Sequence, residues 1–77
     1  ERVNLTFKEY ELLKTFMLNP DIVFTRDKLL SSVWGLDHIG ESRTVDMHIK
    51  TLRKKLGTAG SQIETVIGVG YRMEKKV

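Results

Sequence analysis

The segment from Ser42 to Leu56 constrains the fold of this chain more than any other, because a helix there has two faces of opposite character. Ser42 is a preferred N-cap residue, and Gly57 is a preferred residue just beyond a helix end. At about 100° of rotation per residue, several aliphatic side chains fall within about 60° of one another. They are Val45, Ile49, Leu52 and Leu56. The spacing predicts a helix that buries this stripe in a core.

The opposite side of the same helix is predicted to be basic and exposed. It carries Arg43, Met47, Lys50 and Lys54, with Thr51 at its edge. Charge is also uneven along the chain, since residues 1–41 contain five Lys/Arg and seven Asp/Glu, whereas residues 42–77 contain eight and three. A one-sided basic surface is typical of polyanion binders, although lysines kept only for solubility give the same composition.

Length and composition exclude several classes of function. A domain of 77 residues hides only about 60% of its unfolded surface, so a roomy internal active site is not expected. With no cysteine there is neither a disulfide framework nor a thiolate metal cage. His38 and His48 lie in different segments without a third ligand, and Asp46 is expected to pair with Lys50 four residues later. The sequence predicts no catalysis, no metal and no cofactor.

No apolar run approaches the roughly 20 residues that span a bilayer, and no basic and then apolar leader is present. A soluble, cytoplasmic protein is therefore expected. The chain opens at Glu1 rather than at methionine, which suggests a piece of a longer protein.

Two further helices are predicted before Ser42. Thr6 and Glu9 form a capping box, Leu5 and Tyr10 can staple it, and Asn19-Pro20 ends the helix, which gives bounds of about Phe7 to Leu18. Its apolar residues at helical spacing are Tyr10, Leu13, Phe16 and Met17. After a connector at 21–24, Thr25 caps a short helix that ends at Gly35 and buries Leu29, Leu30 and Val33. Residues 36–41 lack periodicity and are predicted to form a loop.

The last third of the chain is predicted to form a β-hairpin. After a loop at 57–61, strands are expected at 63–67 and 69–74 around the glycine pair Gly68 and Gly70. Alternation predicts that Val69, Tyr71 and Met73 face inward. The predicted order of three helices followed by a C-terminal hairpin is that of an α+β winged helix-turn-helix domain, with the hairpin as its wing.

The sequence resembles the OmpR/PhoB-type DNA-binding domains of two-component response regulators over essentially its whole length. The resemblance rests on six motifs, which together are specific although none is so alone. They are Leu5-Thr6 with Glu9 and Leu12-Leu13, Thr25-Arg26 with Leu29-Leu30, Val33-Trp34-Gly35, Ser42-Arg43-Thr44-Val45-Asp46 with His48-Ile49, Leu52-Arg53-Lys54-Lys55-Leu56-Gly57, and Thr65-Val66 with Gly68-Val69-Gly70-Tyr71-Arg72. In this family a four-stranded sheet precedes the first helix, and only its final strand, about residues 1–5, is expected here.

The resemblance implies sequence-specific binding of double-stranded promoter DNA, with the third helix in the major groove. On that basis Arg43, His48, Lys50 and Arg53 are expected to contact mainly phosphate, with Lys54 on the same basic face. Met47 and Thr51 are expected to face base edges. Thr51 and Ile67 stand where well-known members carry arginines, so a different base readout is expected. A winged helix that binds protein instead is the main alternative.

The resemblance also implies contacts outside the third helix. At the wing, Thr65 and Tyr71 are expected to bond to phosphate, Ile67 to enter the minor groove, and Gly68 and Gly70 to let the backbone approach the duplex. An ordinary tight hairpin with a core tyrosine is the alternative. Thr25 and Arg26 are candidates for phosphate contact, and the alternative is a helix cap followed by a solvated arginine. Trp34 is expected to pack in the core, and its indole N–H could also donate to a phosphate.

Partners beyond DNA are likewise implied by the resemblance. The loop made of Leu36, Asp37, His38, Ile39, Gly40 and Glu41 corresponds to the family's RNA polymerase contact, although it could be a passive connector. A second copy is expected on tandem half-sites. A sensor kinase is expected to act through a receiver domain that this chain lacks.

Overall fold

A computed structural model describes residues 4–35 and 43–74. Its helices and strands follow one another in the order α1, β1, α2, α3, β2 and β3. Their bounds are Phe7–Leu18 for α1, Phe24–Thr25 for β1, Arg26–Leu29 for α2, Arg43–Leu56 for α3, Ile63–Val66 for β2 and Gly70–Met73 for β3. The α+β winged-helix architecture, with three helical segments before a C-terminal hairpin, is confirmed.

Some predictions fall outside the part of the chain that the structure describes. They concern most of the strand at residues 1–5, the loop at 36–41 and the Ser42 cap. Asn4 and Leu5, the described part of the predicted strand, do not form one. Among the described residues, none of the helices is both long and apolar enough to cross a membrane.

Helix α1 has the predicted bounds and cap, but it is rotated relative to the predicted apolar face. The Thr6 hydroxyl accepts from the Glu9 amide, and the Glu9 carboxylate accepts from the Thr6 amide at 2.9 Å, so both halves of the capping box are present. The buried residues are Glu9, Leu12 and Phe16, whereas Tyr10 and Met17 are exposed. The rotation follows from Glu9, whose buried carboxylate is held by Lys55 of α3 at 2.7 Å.

The second helical segment changes character along its length. The Thr25 side chain accepts from the Lys28 amide at 3.0 Å and caps α2, as predicted. After four residues α2 widens into a π-helical turn, Leu30–Trp34, where the Gly35 amide donates back to the Leu30 carbonyl. Gly35 has a φ of +104° and ends the segment. Leu29, Leu30 and Val33 are buried, which confirms the predicted stripe.

The sheet has three antiparallel strands in the order β1-β3-β2, one more than the predicted hairpin. The additional strand β1 lies in the segment that was predicted to be a connector, and Phe24 pairs with Tyr71 while Thr25 pairs with Gly70. A side chain at Gly70 would place its Cβ 2.0 Å from the Phe24 carbonyl oxygen. Gly70 therefore allows the close approach of β1, and its predicted closeness to a duplex stays a prediction.

The hairpin is shorter than predicted because its turn takes three residues, 67–69. Gly68 has a φ of +79°, and the Val69 amide donates to the Val66 carbonyl at 2.9 Å. Val69 is half exposed rather than inward, while Tyr71 and Met73 are buried as predicted. The predicted loop before β2 is instead a 3-10 helix, Gly57–Gln62, and a Cβ at Gly60 would lie 2.4 Å from the Arg53 carbonyl oxygen.

The core is continuous between α1, the π-helical turn, α3 and the sheet. Val45, Ile49 and Leu52 of α3 are fully buried, and Leu56 packs against them at the edge, so the predicted stripe is confirmed. Phe16 of α1 meets Phe24 of β1 edge to face at 5.9 Å between ring centroids. Since one face of α3 is committed to this core, its other face is available to solvent.

Candidate nucleic-acid interface

The outward face of α3 forms a ridge that consists of Arg43, Met47, Lys50, Thr51 and Lys54. All five side chains are exposed, and Met47 keeps 66% of its accessible surface. Met47 thus places an exposed apolar group among cations. We refer to these five residues as the basic ridge. Its predicted outward orientation is confirmed.

Thr51 is tethered within the ridge. Its hydroxyl donates to the Met47 carbonyl one turn earlier, at 3.1 Å. The hydroxyl proton is therefore engaged, and what Thr51 offers outward is an acceptor oxygen and a methyl group.

His48 and Trp34 form one end of the interface. The His48 Nδ1 lies 2.8 Å from the Thr44 carbonyl, and since a carbonyl only accepts, Nδ1 carries the proton in this contact. That arrangement leaves Nε2 as the ring's second hydrogen-bonding atom. The His48 ring meets the Trp34 ring edge to face at 4.9 Å, which joins α3 to the π-helical turn.

Lys8 of α1 supports the other side of Trp34. Its ammonium group donates to the Val33 carbonyl at 2.9 Å and lies 5.6 Å from the centre of the Trp34 ring. Trp34 is half buried, so it has the predicted packing role.

Arg53 connects α3 to the wing. Its Nε donates to the Ile63 carbonyl and its Nη2 to the Thr65 hydroxyl oxygen, both at 2.9 Å. Sequence reasoning treated Arg53 as a DNA ligand alone, whereas two of its donor groups hold β2. Because the Thr65 oxygen accepts this bond, the Thr65 hydroxyl proton remains available to another acceptor.

Tyr71 and Arg26 meet on a single carboxylate. The Tyr71 hydroxyl donates to Asp46 Oδ1 at 2.6 Å, and Arg26 Nε lies 3.1 Å from the same oxygen. Burial, followed by the bond to Asp46, raises the pKa of Tyr71. The predicted pairing of Asp46 with Lys50 is wrong, because the carboxylate is turned toward β3 and α2.

Sequence reasoning missed this role of Asp46, although one signal pointed to it. Tyr71 was predicted to face inward, and a buried tyrosine hydroxyl requires a hydrogen-bond partner. A hydrogen-bond partner on a neighbouring element was therefore to be expected, and a carboxylate is one possible acceptor. The i, i+4 spacing instead favoured the nearest lysine in sequence.

The wing tip is apolar. Ile67 retains 92% of its accessible surface and Val69 retains 49%, on either side of Gly68. Between the wing and the start of α2 lies a groove of about 310 Å³ that is open to solvent. Thr25, Arg26, Thr65 and Gly68 are among the residues that line it. The groove and the basic ridge place cations, hydroxyls and an apolar tip around the exposed face of α3.

No cluster of three or more potential metal ligands occurs among residues 4–35 and 43–74. The arrangement can bind an extended anion through separate cations and hydroxyls.

A helical core, an exposed third helix and a three-stranded sheet with a projecting hairpin define a winged-helix domain. The family model "Transcriptional regulatory protein, C terminal" matches residues 1–73. The chain belongs to this family, the OmpR/PhoB-type winged-helix effector domains of response regulators.

Individual relatives agree with this assignment. The transcriptional regulatory protein SrrA of Staphylococcus aureus is 49% identical over an alignment of 80 positions, which covers 99% of this chain and 33% of SrrA. The response regulator DrrB of Thermotoga maritima, an OmpR/PhoB homologue, superposes with a TM-score of 0.84 at 35% identity, over 97% of this chain and 35% of DrrB. The AdeR DNA-binding domain, solved in complex with an intercistronic region, gives a TM-score of 0.83 at 37% identity, over 95% of this chain and 74% of the solved domain. The chain spans about a third of the length of the curated relatives it matches.

Proposed function

We propose that this domain binds double-stranded promoter DNA in a sequence-specific manner, as the output domain of a two-component response regulator. The basic ridge of α3 enters the major groove, and the wing tip meets the adjacent minor groove. The observation that carries the proposal is the exposed ridge itself, which combines three cations with Met47 and Thr51 on the face of α3 opposite the core. The likeness to the AdeR DNA-binding domain, which was solved in complex with an intercistronic region, supports binding to DNA.

Phosphate contacts are assigned to cations, hydroxyls and N–H groups on and beside the basic ridge. Arg43, Lys50 and Lys54 supply exposed cations, and His48 presents Nε2 when protonated. The same role is proposed for Thr25, Thr65, Arg26, Arg53 and Trp34, which border the ridge. Arg26 and Arg53 keep part of each guanidinium available while the rest is bonded within the protein.

Base contacts are assigned to Met47 and Thr51. Since the Thr51 hydroxyl proton is donated to the helix, its methyl group and the Met47 thioether provide an apolar surface that suits the thymine methyl. Selection of bound duplexes from a random pool is expected to return thymine-rich half-sites. Enrichment of guanine-rich half-sites would contradict this assignment.

The wing contact differs in kind from the ridge. Ile67 is almost fully exposed and uncharged, so it can contribute van der Waals contact in a minor groove but no attraction to phosphate. Affinity is therefore expected to come mainly from α3.

A salt titration tests the proposal. Binding to duplex DNA releases condensed counterions, so log K is expected to fall linearly with log[salt], with a slope of about −0.9 for each neutralised phosphate. Fluorescence anisotropy of a labelled duplex between 50 and 200 mM salt, about the range over which such losses are large, measures it. Absence of duplex binding even at low salt would favour the protein-binding alternative.

Further partners are proposed for the longer protein. A second copy would occupy a tandem half-site about one helical turn away, which footprinting with the intact regulator checks. The segment 36–41, which lies outside the described residues, would contact RNA polymerase. Charge reversal at Asp37 and Glu41 should then abolish activation without loss of DNA binding. A sensor kinase would act through a receiver domain.

A further inference from the structure

Asp46 joins three elements through one carboxylate oxygen. It belongs to the first turn of α3, it accepts a hydrogen bond from Tyr71 of β3 at 2.6 Å, and it forms an ion pair with Arg26 of α2, whose Nε lies 3.1 Å from the same oxygen. The side chain of Asp46 is 30% exposed and that of Arg26 is 53% exposed, so the contact lies at the edge of the interface rather than in the core. The DNA-facing helix, the wing and the start of α2 therefore depend on a common group.

Arg53 holds the same tyrosine from another direction. It lies two turns after Asp46 on α3, and its guanidinium carbon is 5.5 Å from the centre of the Tyr71 ring. Its Nε and Nη2 bind Ile63 and Thr65 of β2. The wing is thus attached to α3 at two positions that lie two turns apart. Asp46 bonds to β3, and Arg53 bonds to β2. We refer to Asp46, Tyr71, Arg26 and Arg53 as the wing junction.

The geometry restricts what the Tyr71 hydroxyl can do. A phenol has one proton, a carboxylate only accepts, and the bond to Asp46 uses that proton. Tyr71 is also 7% exposed. Donation to a DNA phosphate would require the bond to Asp46 to break and a buried ring to move outward.

We propose that Asp46 is a positioning residue for DNA binding, which sets the wing and Arg26 against the basic ridge, and that Tyr71 acts through Asp46 rather than by donating to a phosphate. This inference rests on the proposed function. DNA binding requires α3 and the wing to reach adjacent grooves together, and small displacements of either would weaken the joint contact.

The sign of a charge change separates positioning from electrostatics. A carboxylate beside a polyanion repels it, so neutralising Asp46 should strengthen DNA binding if charge alone matters. Positioning predicts the opposite. We expect Asp46→Asn to bind duplex DNA roughly tenfold more weakly, a loss within the range of couplings between residues in contact.

Asp27→Asn is the matched control. Asp27 is exposed on α2 beside Arg26, and within the described residues its carboxylate has no hydrogen bond or ion pair. Asp27→Asn removes the same charge from the same region as Asp46→Asn does, so we expect unchanged or slightly tighter binding to DNA. Equal or tighter binding by Asp46→Asn would overturn the proposal.

Asp46→Glu gives a second measurement that keeps the charge. It displaces the carboxylate by one methylene, so positioning predicts weaker DNA binding, whereas a pure charge effect predicts no change in affinity. Weakening by Asp46→Glu with a native amide spectrum would support the proposal even if Asp46→Asn failed to fold, and wild-type affinity would overturn it.

A double-mutant cycle tests the role of Tyr71. If Tyr71 acts through Asp46, combining Tyr71→Phe with Asp46→Asn should weaken binding no more than the larger single change. Losses that multiply would mean that Tyr71 contacts DNA independently. Tyr10→Phe, at an exposed tyrosine of α1, is the control and should bind as the wild type does.

Absorbance titration of the tyrosines examines the junction without DNA. The raised pKa of Tyr71 should fall toward its ordinary value in Asp46→Asn, because the acceptor charge is lost. An unchanged titration would overturn the junction whatever the DNA result. If Asp46→Asn does lower the pKa of Tyr71 but the wild-type domain binds no duplex, the junction stands and only the proposed function is contradicted.

Discussion

Replacement of Lys55 by methionine is expected to lower the free energy of unfolding by about 3 kcal/mol at neutral pH, near the lower end for breaking a buried ion pair. The Glu9 carboxylate is 3% exposed and would lose its only countercharge among the described residues. The loss is at the lower end because Lys55 is itself 33% exposed and the Thr6 amide would still donate to Glu9. Urea denaturation measures it.

The pH dependence of this loss has a defined sign. Burial raises the pKa of Glu9, but the bonds from Lys55 and Thr6 outweigh it, so the pKa of Glu9 lies below its ordinary value of 4.5. Its contribution to stability is therefore fully present above that ordinary value and is lost as the pH falls through the lowered one. Without Lys55, burial still raises the pKa of Glu9 and one of the two opposing contributions is lost, so the pKa should rise. The deficit of the variant should shrink on acidification.

Lys54→Met is the matched control for Lys55→Met. It removes the same charge from the next residue of α3, where the side chain is exposed, and should change stability by less than about 0.5 kcal/mol. Equal losses for the two variants, or a deficit at Lys55 that does not depend on pH, would contradict the assigned ion pair.

Removal of the two ridge lysines is expected to flatten the salt dependence of DNA binding. Each of Lys50→Ala and Lys54→Ala should lower the magnitude of the slope of log K against log[salt] by about 1, and the pair by about 2, if each lysine neutralises a phosphate as proposed. The loss of affinity should be similar for all duplex sequences, since phosphate contacts carry no base information.

Lys14→Ala is the control for the ridge. Lys14 is an exposed lysine on α1, away from the ridge, so its removal changes the net charge equally but should leave the slope unchanged. If all three lysines behaved alike, the attraction would come from net charge and not from the ridge.

Local features of the chain were predicted well because their causes lie within a few residues. The capping box at Thr6 and Glu9 and the proline after Asn19 gave the bounds of α1 as the structure has them. The division of α3 into a buried stripe and an exposed ridge follows from helical rotation alone. The helix that we propose to face DNA could therefore be identified from the sequence.

Predictions failed where a residue's environment is made by distant parts of the chain. Strand β1 has only two residues, too few for a recognisable alternation, and exists because β3 pairs with it. Glu9 is buried because Lys55, 46 residues later, neutralises it, and the face of α1 turns accordingly. Asp46 was assigned to Lys50 because their spacing is favourable within a helix.

The sequence by itself determined the order of helices and hairpin, the cap of α1 and the two faces of α3, since periodicity and capping act between near neighbours. Only the tertiary structure decided which charged side chains hold the fold together. In the sequence, nothing distinguishes Asp46, Arg53 and Lys55 from the solvated charged residues around them. Their partners come from β3, β2 and α1, and the contacts exist only once those elements have packed.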